Sequence, residues 1–225
     1  MHVICCYSTK GGVGKTTIAA HLACAAESAN DGPVAIIDTD PQASLSNWWN
    51  VRTFETPTFV QTTLEELPKK LDALRDAGCK LVVIDTPGAD VSHSRQVLKL
   101  SDLVLVPSRP SPLDLGTLGA TVGTIQEEGR PLMFVLNAVT PRTRISAQAV
   151  MALSHHGAVG AILHQRTDYA AAMTDGRVAA ELDTSSKSAE EIAELWNAIS
   201  TYLRKSEEKG ASSPTRKRLR KEATA

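Results

Sequence analysis

The sequence has no apolar run near the roughly 18 residues that a bilayer-spanning helix needs, which sets such a helix aside. Its opening, Met1-His2-Val3-Ile4-Cys5-Cys6-Tyr7, lacks a basic n-region and runs straight into a glycine loop. It reads as a first buried strand, not a secretory leader. Cysteine is scarce, with four in the chain: Cys5, Cys6, Cys24 and Cys79. None belongs to a C-x-x-C pair and none has a histidine at metal-ligand spacing, so a thiolate metal centre is not expected. Cys5 and Cys6 are adjacent, and in a strand they point to opposite faces, where they serve as small hydrophobes in a reducing cytosol. Internal repeats are also absent, which points to a single domain.

What is present is ordinary in bulk: 225 residues, 42% hydrophobic and 22% charged, enough for one sizeable core. The net charge of −1 hides an asymmetry. From residue 204 onward eight basic residues face three acidic ones, a net +5 that leaves −6 on the remainder. A basic tail on an acidic body suggests a polyanionic partner. Residues 1–205 are expected to form the folded domain and 206–225 a disordered basic tail, because the tail has almost no apolar content.

Apolar strand-like runs alternate with helical patterns, which predicts an α/β fold with a doubly wound, mostly parallel sheet and helices on both faces. Strands are expected at 2–7, 33–38, 80–85, 102–107, 131–137 and 158–164. Several, such as Leu81-Val82-Val83-Ile84, are continuously apolar, as strands covered on both sides are. Helices are expected at 15–28, 63–77, 91–100, 113–128, 144–155 and 188–204. The last carries Ile192, Leu195, Trp196, Ile199 and Leu203 along one stripe, with Ser188 and Glu191 spaced as a capping box.

The chemistry concentrates after three of these strands. Lys10-Gly11-Gly12-Val13-Gly14-Lys15-Thr16-Thr17 lies between the first strand and first helix, a compact form of the phosphate-binding loop in which Thr9 replaces the first glycine. Glycines let backbone N–H groups turn inward around phosphate oxygens at a helix N-terminus. Lys15 then reaches the phosphates, and the Thr16 hydroxyl takes a Mg²⁺ position. Asp38-Thr39-Asp40-Pro41-Gln42 and Asp85-Thr86-Pro87-Gly88 end two further strands, so their carboxylates converge on the same crevice. Asp85 fits a Walker B role. Of Asp38 and Asp40, one would organise the Mg²⁺ shell and the other orient the attacking water.

These residues, with Ser44, Asn47-Trp48-Trp49, and Ser101–Pro107 continued by Pro110-Ser111-Pro112-Leu113-Asp114, resemble the ParA/MinD group of deviant Walker A ATPases. The short, ParF-like partition ATPases are the nearest pattern. The resemblance spans about residues 1–205. It implies ATP and Mg²⁺ as ligands and a homodimer on ATP binding, with Lys10 crossing to the partner's nucleotide. It implies Lys15 binding phosphates in cis, Thr16, Asp38 and Asp85 around the metal, and Asp40 positioning the hydrolytic water. Asn137 is given the adenine, with a strand-end cap as the other reading. The ATP-bound dimers of this group bind DNA without sequence preference, and a small adaptor stimulates their slow hydrolysis. They sit in the cytoplasm on the nucleoid, and the cargo is a plasmid, a chromosome or a protein assembly such as carboxysomes or chemosensory clusters. The short form lacks an N-terminal DNA-reading extension, so a repressor role is not expected.

Candidate DNA contacts are Arg142, Arg144, Arg166, Arg177 and Lys187 in the carboxyl-terminal half, and Arg216, Lys217 and Arg218 in the tail. A solvated surface role is the competing reading for each. A membrane switch of the MinD kind needs a terminal amphipathic helix, and the end of this chain offers only Leu219 as apolar bulk. A nitrogenase-type cluster needs cysteines beyond Cys79, metal-cluster carriers need a C-x-x-C, and a dethiobiotin-synthase-like ligase has no use for Lys10.

Overall fold

The computed structural model describes residues 1–88 and 90–212. Its centre is a seven-stranded, wholly parallel sheet in the order β3-β2-β4-β1-β5-β6-β7. The strands are β1 (His2–Cys6), β2 (Val34–Asp38), β3 (Thr58–Phe59), β4 (Leu81–Asp85), β5 (Leu103–Ser108), β6 (Leu132–Val139) and β7 (Ala158–His164). Six of them match the sequence expectation closely; the two-residue β3 escaped it.

Alternation within each strand divides the core in two. Ile4, Cys6, Ile36, Val83, Leu105 and Val135 face α1 (Lys15–Ser28), α2 (Ser44–Asn50), α7 (Thr167–Met173), α8 (Ala179–Leu182) and α9 (Lys187–Ser212). Val3, Cys5, Ile37, Ile84, Val106 and Phe134 face α3 (Leu67–Asp76), α4 (Val91–Leu100), α5 (Pro112–Glu127) and α6 (Arg144–Ser154). Cys5 and Cys6 thus lie in opposite cores, and burial pushes the Cys5 thiol up to about 12. Such thiols are inert packing groups.

Two expectations about α9 need correction. It runs on to Ser212, so residues 206–212 are helical and not the start of a structureless tail. The rest of that expected tail, with Arg216, Lys217 and Arg218, lies outside the described residues. The cap is Ser186, whose hydroxyl accepts from Ala189 N–H at 3.1 Å. Ser188 instead donates to Asp168, and Glu191 turns toward β7. The stripe Ile192, Leu195, Trp196, Ile199 and Leu203 packs in the first core as expected.

β1 lies between β4 and β5, so the chain leaves it where the sheet's winding reverses, and a crevice opens beyond the strand ends. Asp38 and Asp85 are register partners there, and Asp85 is also the partner of Cys6. Hydrogen bonds from Thr39 to Asp85 O (2.7 Å) and from Thr86 to Cys6 O (2.7 Å) stitch the three strand ends together.

Candidate nucleotide site

A cavity of about 900 Å³ occupies this crevice. Gly11, Gly12, Gly14, Lys15, Thr16 and Thr17 line one end, Asp40 and Arg109 its rim. The loop that forms this end is held from both sides. Thr9 bonds to Thr121 on α5 through its N–H (3.2 Å) and hydroxyl (2.9 Å). From β6, the Asn137 amide donates to Val13 O at 2.7 Å. Gly14 caps α1 with φ at 101°, and a Cβ there would stand 2.3 Å from Asn137 Nδ2. Only glycine satisfies both the left-handed backbone and this close approach.

Lys15 is 8% exposed, its ammonium 3.4 Å from the Lys10 carbonyl and close beneath Gly88. Thr16 donates to Asp85 Oδ2 at 2.5 Å, while Asp85 Oδ1 is buried with no hydrogen-bond partner. Burial raises the Asp85 pKa to about 7, with Asp38 and Asp40 pushing the same way and Thr16 and Lys15 opposing. A buried carboxylate with an unused oxygen beside a hydroxyl is a hard-oxygen donor set, and it fits Mg²⁺. Thr16 and Asp85 would hold the ion.

Asp38 departs from its expected place among the metal ligands. Its Oδ1 accepts from Asp40 N–H (3.0 Å), and its Oδ2 accepts from Ser46 N–H (2.8 Å) and hydroxyl (2.9 Å). Both oxygens help fix the turn that carries Asp40, which itself lines the cavity. Asn137 lines the cavity and clamps Val13, a task that neither of its two sequence readings named.

Lys10 is not among the residues lining the cavity; its side chain is 36% exposed and ion-paired with Asp114 in the first turn of α5. Sequence reasoning gave no role to Asp114 or to Arg109. Nor did it find the far wall of the cavity, where Leu163, His164, Gln165, Tyr169 and Met173 meet Ile18 and Ile192. Arg166 belongs to this wall and not to an open surface: it donates to Glu191 at 2.6 Å, as do His164 and Tyr169 at 2.7 and 2.9 Å. Arg177 is paired with Asp175 and Lys187 with Glu190. Arg142 and Arg144 are exposed and carry no ion pair among the described residues.

Comparison with known proteins places this geometry. The model of the CobQ/CobB/MinD/ParA nucleotide binding domain matches residues 4–179. The chain belongs to that family. It is similar to the maintenance of carboxysome distribution protein A of Gloeobacter kilaueensis, 38% identical over 63% of this chain and 65% of that one. Protein ParA of Rhizobium radiobacter is 35% identical over 53% of this chain and 54% of its own length. The chain thus spans under two thirds of either relative. In fold it resembles a chain of the MinC:MinD cell division complex of Aquifex aeolicus, with a TM-score of 0.75 over 89% of this chain and 96% of that one, at 15% identity. Among the described residues no helix is long and apolar enough to cross a membrane.

Proposed function

We propose that this family member is an ATPase that closes into a homodimer around ATP and Mg²⁺, binds DNA without sequence preference in that state, and so segregates or positions cargo. One observation carries this reading. Its two signature lysines are placed differently: Lys15 is buried and lines the cavity, whereas Lys10 is part exposed, is not among the residues lining the cavity, and is turned to Asp114 on α5. A part-exposed lysine turned away from its own cavity suits a nucleotide held by a second copy.

The chain's own residues divide the work. The N–H groups of Gly11 to Thr17 and the N-terminus of α1 bind phosphate oxygens. Lys15 neutralises them in cis, and Lys10 does so in trans. Mg²⁺ held by Thr16 and Asp85 supplies further charge neutralisation when bound. Asp40, on the turn fixed by Asp38, orients the water. Turnover in this reading is slow until an adaptor protein completes the site. Arg142, Arg144 and the basic residues beyond Ser212 supply DNA attraction.

The test is DNA binding in low salt with ATP, with ADP and without nucleotide, on the full chain and on a truncation after Ser212. Binding that requires ATP and persists in the truncation supports the reading; binding indifferent to nucleotide overturns it. Plasmid or chromosome partition is the first choice of cargo. The 38% identity to a protein named for carboxysome distribution favours a second, a protein cargo carried on the nucleoid. Gene neighbourhood separates them: a small DNA-binding adaptor with centromere-like repeats, or genes for a protein organelle.

A further inference from the structure

The lysine proposed to serve a second subunit is held within its own. Lys10 is ion-paired with Asp114, whose side chain is 8% exposed. Asp114 is itself firmly placed. The Ser111 hydroxyl donates to its Oδ2 at 2.6 Å and accepts its N–H at 3.1 Å, so the two residues cap α5 together. Burial alone would raise the carboxyl's pKa, but the bonds from Lys10 and Ser111 and the charge of Arg109 bring it below its usual value. The helix N-terminus favours the same anion.

From this geometry we propose that Asp114 is the positioning residue for Lys10, holding it in cis in the resting subunit, so that dimerisation requires Lys10 to exchange Asp114 for the partner's nucleotide. The inference rests on the dimerising reading above. The exchange needs no loop movement, because the Thr9–Thr121 bonds fasten the same loop to the same helix and leave only the Lys10 side chain to swing. Release does strip a largely buried carboxylate of its counter-ion, which is unfavourable. Arg109 is a cation close enough to act on Asp114: it is exposed, lines the nucleotide cavity and carries no ion pair among the described residues. It is placed to take over as Lys10 leaves.

The consequence is quantitative. If only a fraction of subunits have Lys10 free, the apparent affinity of each falls by that fraction. A part-exposed pair with one buried end is worth a factor of about three to ten. Two subunits multiply, so removing the anion should tighten the dimer about tenfold to a hundredfold.

Sedimentation velocity with a non-hydrolysable ATP analogue tests this on the full chain. Asp114→Asn, similar in size and able to keep the Ser111 bonds, should lower the dimer dissociation constant at least tenfold. Asp114→Glu should return it toward wild type, and Ser111→Ala, which weakens the cap and keeps the anion, should give no gain. In a Lys10→Ala background no dimer is expected, and Asp114→Asn should restore none; a dimer that appears in the double variant would assign the gain to α5 and overturn the latch. A wild-type chain that dimerises while a folded Asp114→Asn does so no more readily overturns the latch and leaves the dimerising reading intact. A wild-type chain that stays monomeric with the analogue overturns both.

Discussion

Single atoms decide whether the phosphate loop keeps its shape. The Asn137 amide holds Val13 O at 2.7 Å, and Gly14 leaves room for that amide. Asn137→Ala should therefore weaken ATP binding about fivefold, the worth of about 1 kcal/mol, by letting the loop relax. Gly14→Ala should abolish binding, since it meets both the amide and a left-handed φ. Titration calorimetry with ATP checks both, and unchanged affinity in Asn137→Ala would remove the clamp. The loop itself was legible because Gly11, Gly12, Gly14, Lys15 and Thr16 need little context to be read. Asp38 and Glu191 were legible only as candidates. Their sequence spacings fit a metal ligand and a capping box, yet Ser46 and the group of His164, Arg166 and Tyr169 claim them. Those partners come from other elements, and the Lys10–Asp114 pair was hidden for the same reason.

Between elements, two buried polar clamps tie α8 and the turn before it to α1 and to the segment after α2. His21 on α1 donates from Nδ1 to Thr17 O (2.8 Å), and its Nε2 accepts from Ala179 N–H (3.1 Å) at the start of α8. Both nitrogens are used by the neutral ring, and burial lowers its pKa from 6.5 to about 4. Since the unfolded chain takes up this proton first, the contribution is complete above the unfolded value and is lost as pH falls toward the folded one. Stability should drop by about 2 kcal/mol between pH 7 and pH 5 from this group. Urea midpoints at the two pH values check this, with a smaller drop expected in His21→Gln; an equal drop in both proteins would assign the loss elsewhere. The second clamp is Arg52, whose side chain is 2% exposed and which pairs with Glu181 (2.6 Å), bonds Gly176 O (2.7 Å) and lies over Trp48. Arg52→Ala leaves Glu181 unpaired and should cost about 3–5 kcal/mol in denaturant unfolding. A loss under about 1 kcal/mol would mean the pair is only a surface contact. α2, α7 and α8 were missed in the sequence because they are too short to show a helical period, and these long-range clamps and not local propensity hold them.

For the whole molecule, six apolar runs were enough to anticipate a parallel sheet with its site at the strand ends. The pairing of three of the five expected DNA contacts at residues 142–187 was not anticipated: Arg166, Arg177 and Lys187 all have carboxylate partners. Under the proposed function, Arg142 and Arg144 are the two of these candidates that carry no ion pair among the described residues. Replacing both with Ala should weaken ATP-dependent DNA binding and lower the salt slope by up to about 2, because each phosphate contact contributes close to one unit. Gel-shift titrations across salt concentrations read this directly, and an unchanged slope would move the interface elsewhere.

In the proposed dimer Lys15 serves its own nucleotide and Lys10 its partner's. Mixing inactive Lys10→Ala with inactive Lys15→Ala tests it in one ATPase assay. A mixed dimer has one complete site, ATP held by Lys15 in the first subunit and reached by Lys10 of the second. Turnover well above that of either variant alone is the predicted result. A mixture as inactive as its components would show that both lysines act within one subunit, and would contradict the account.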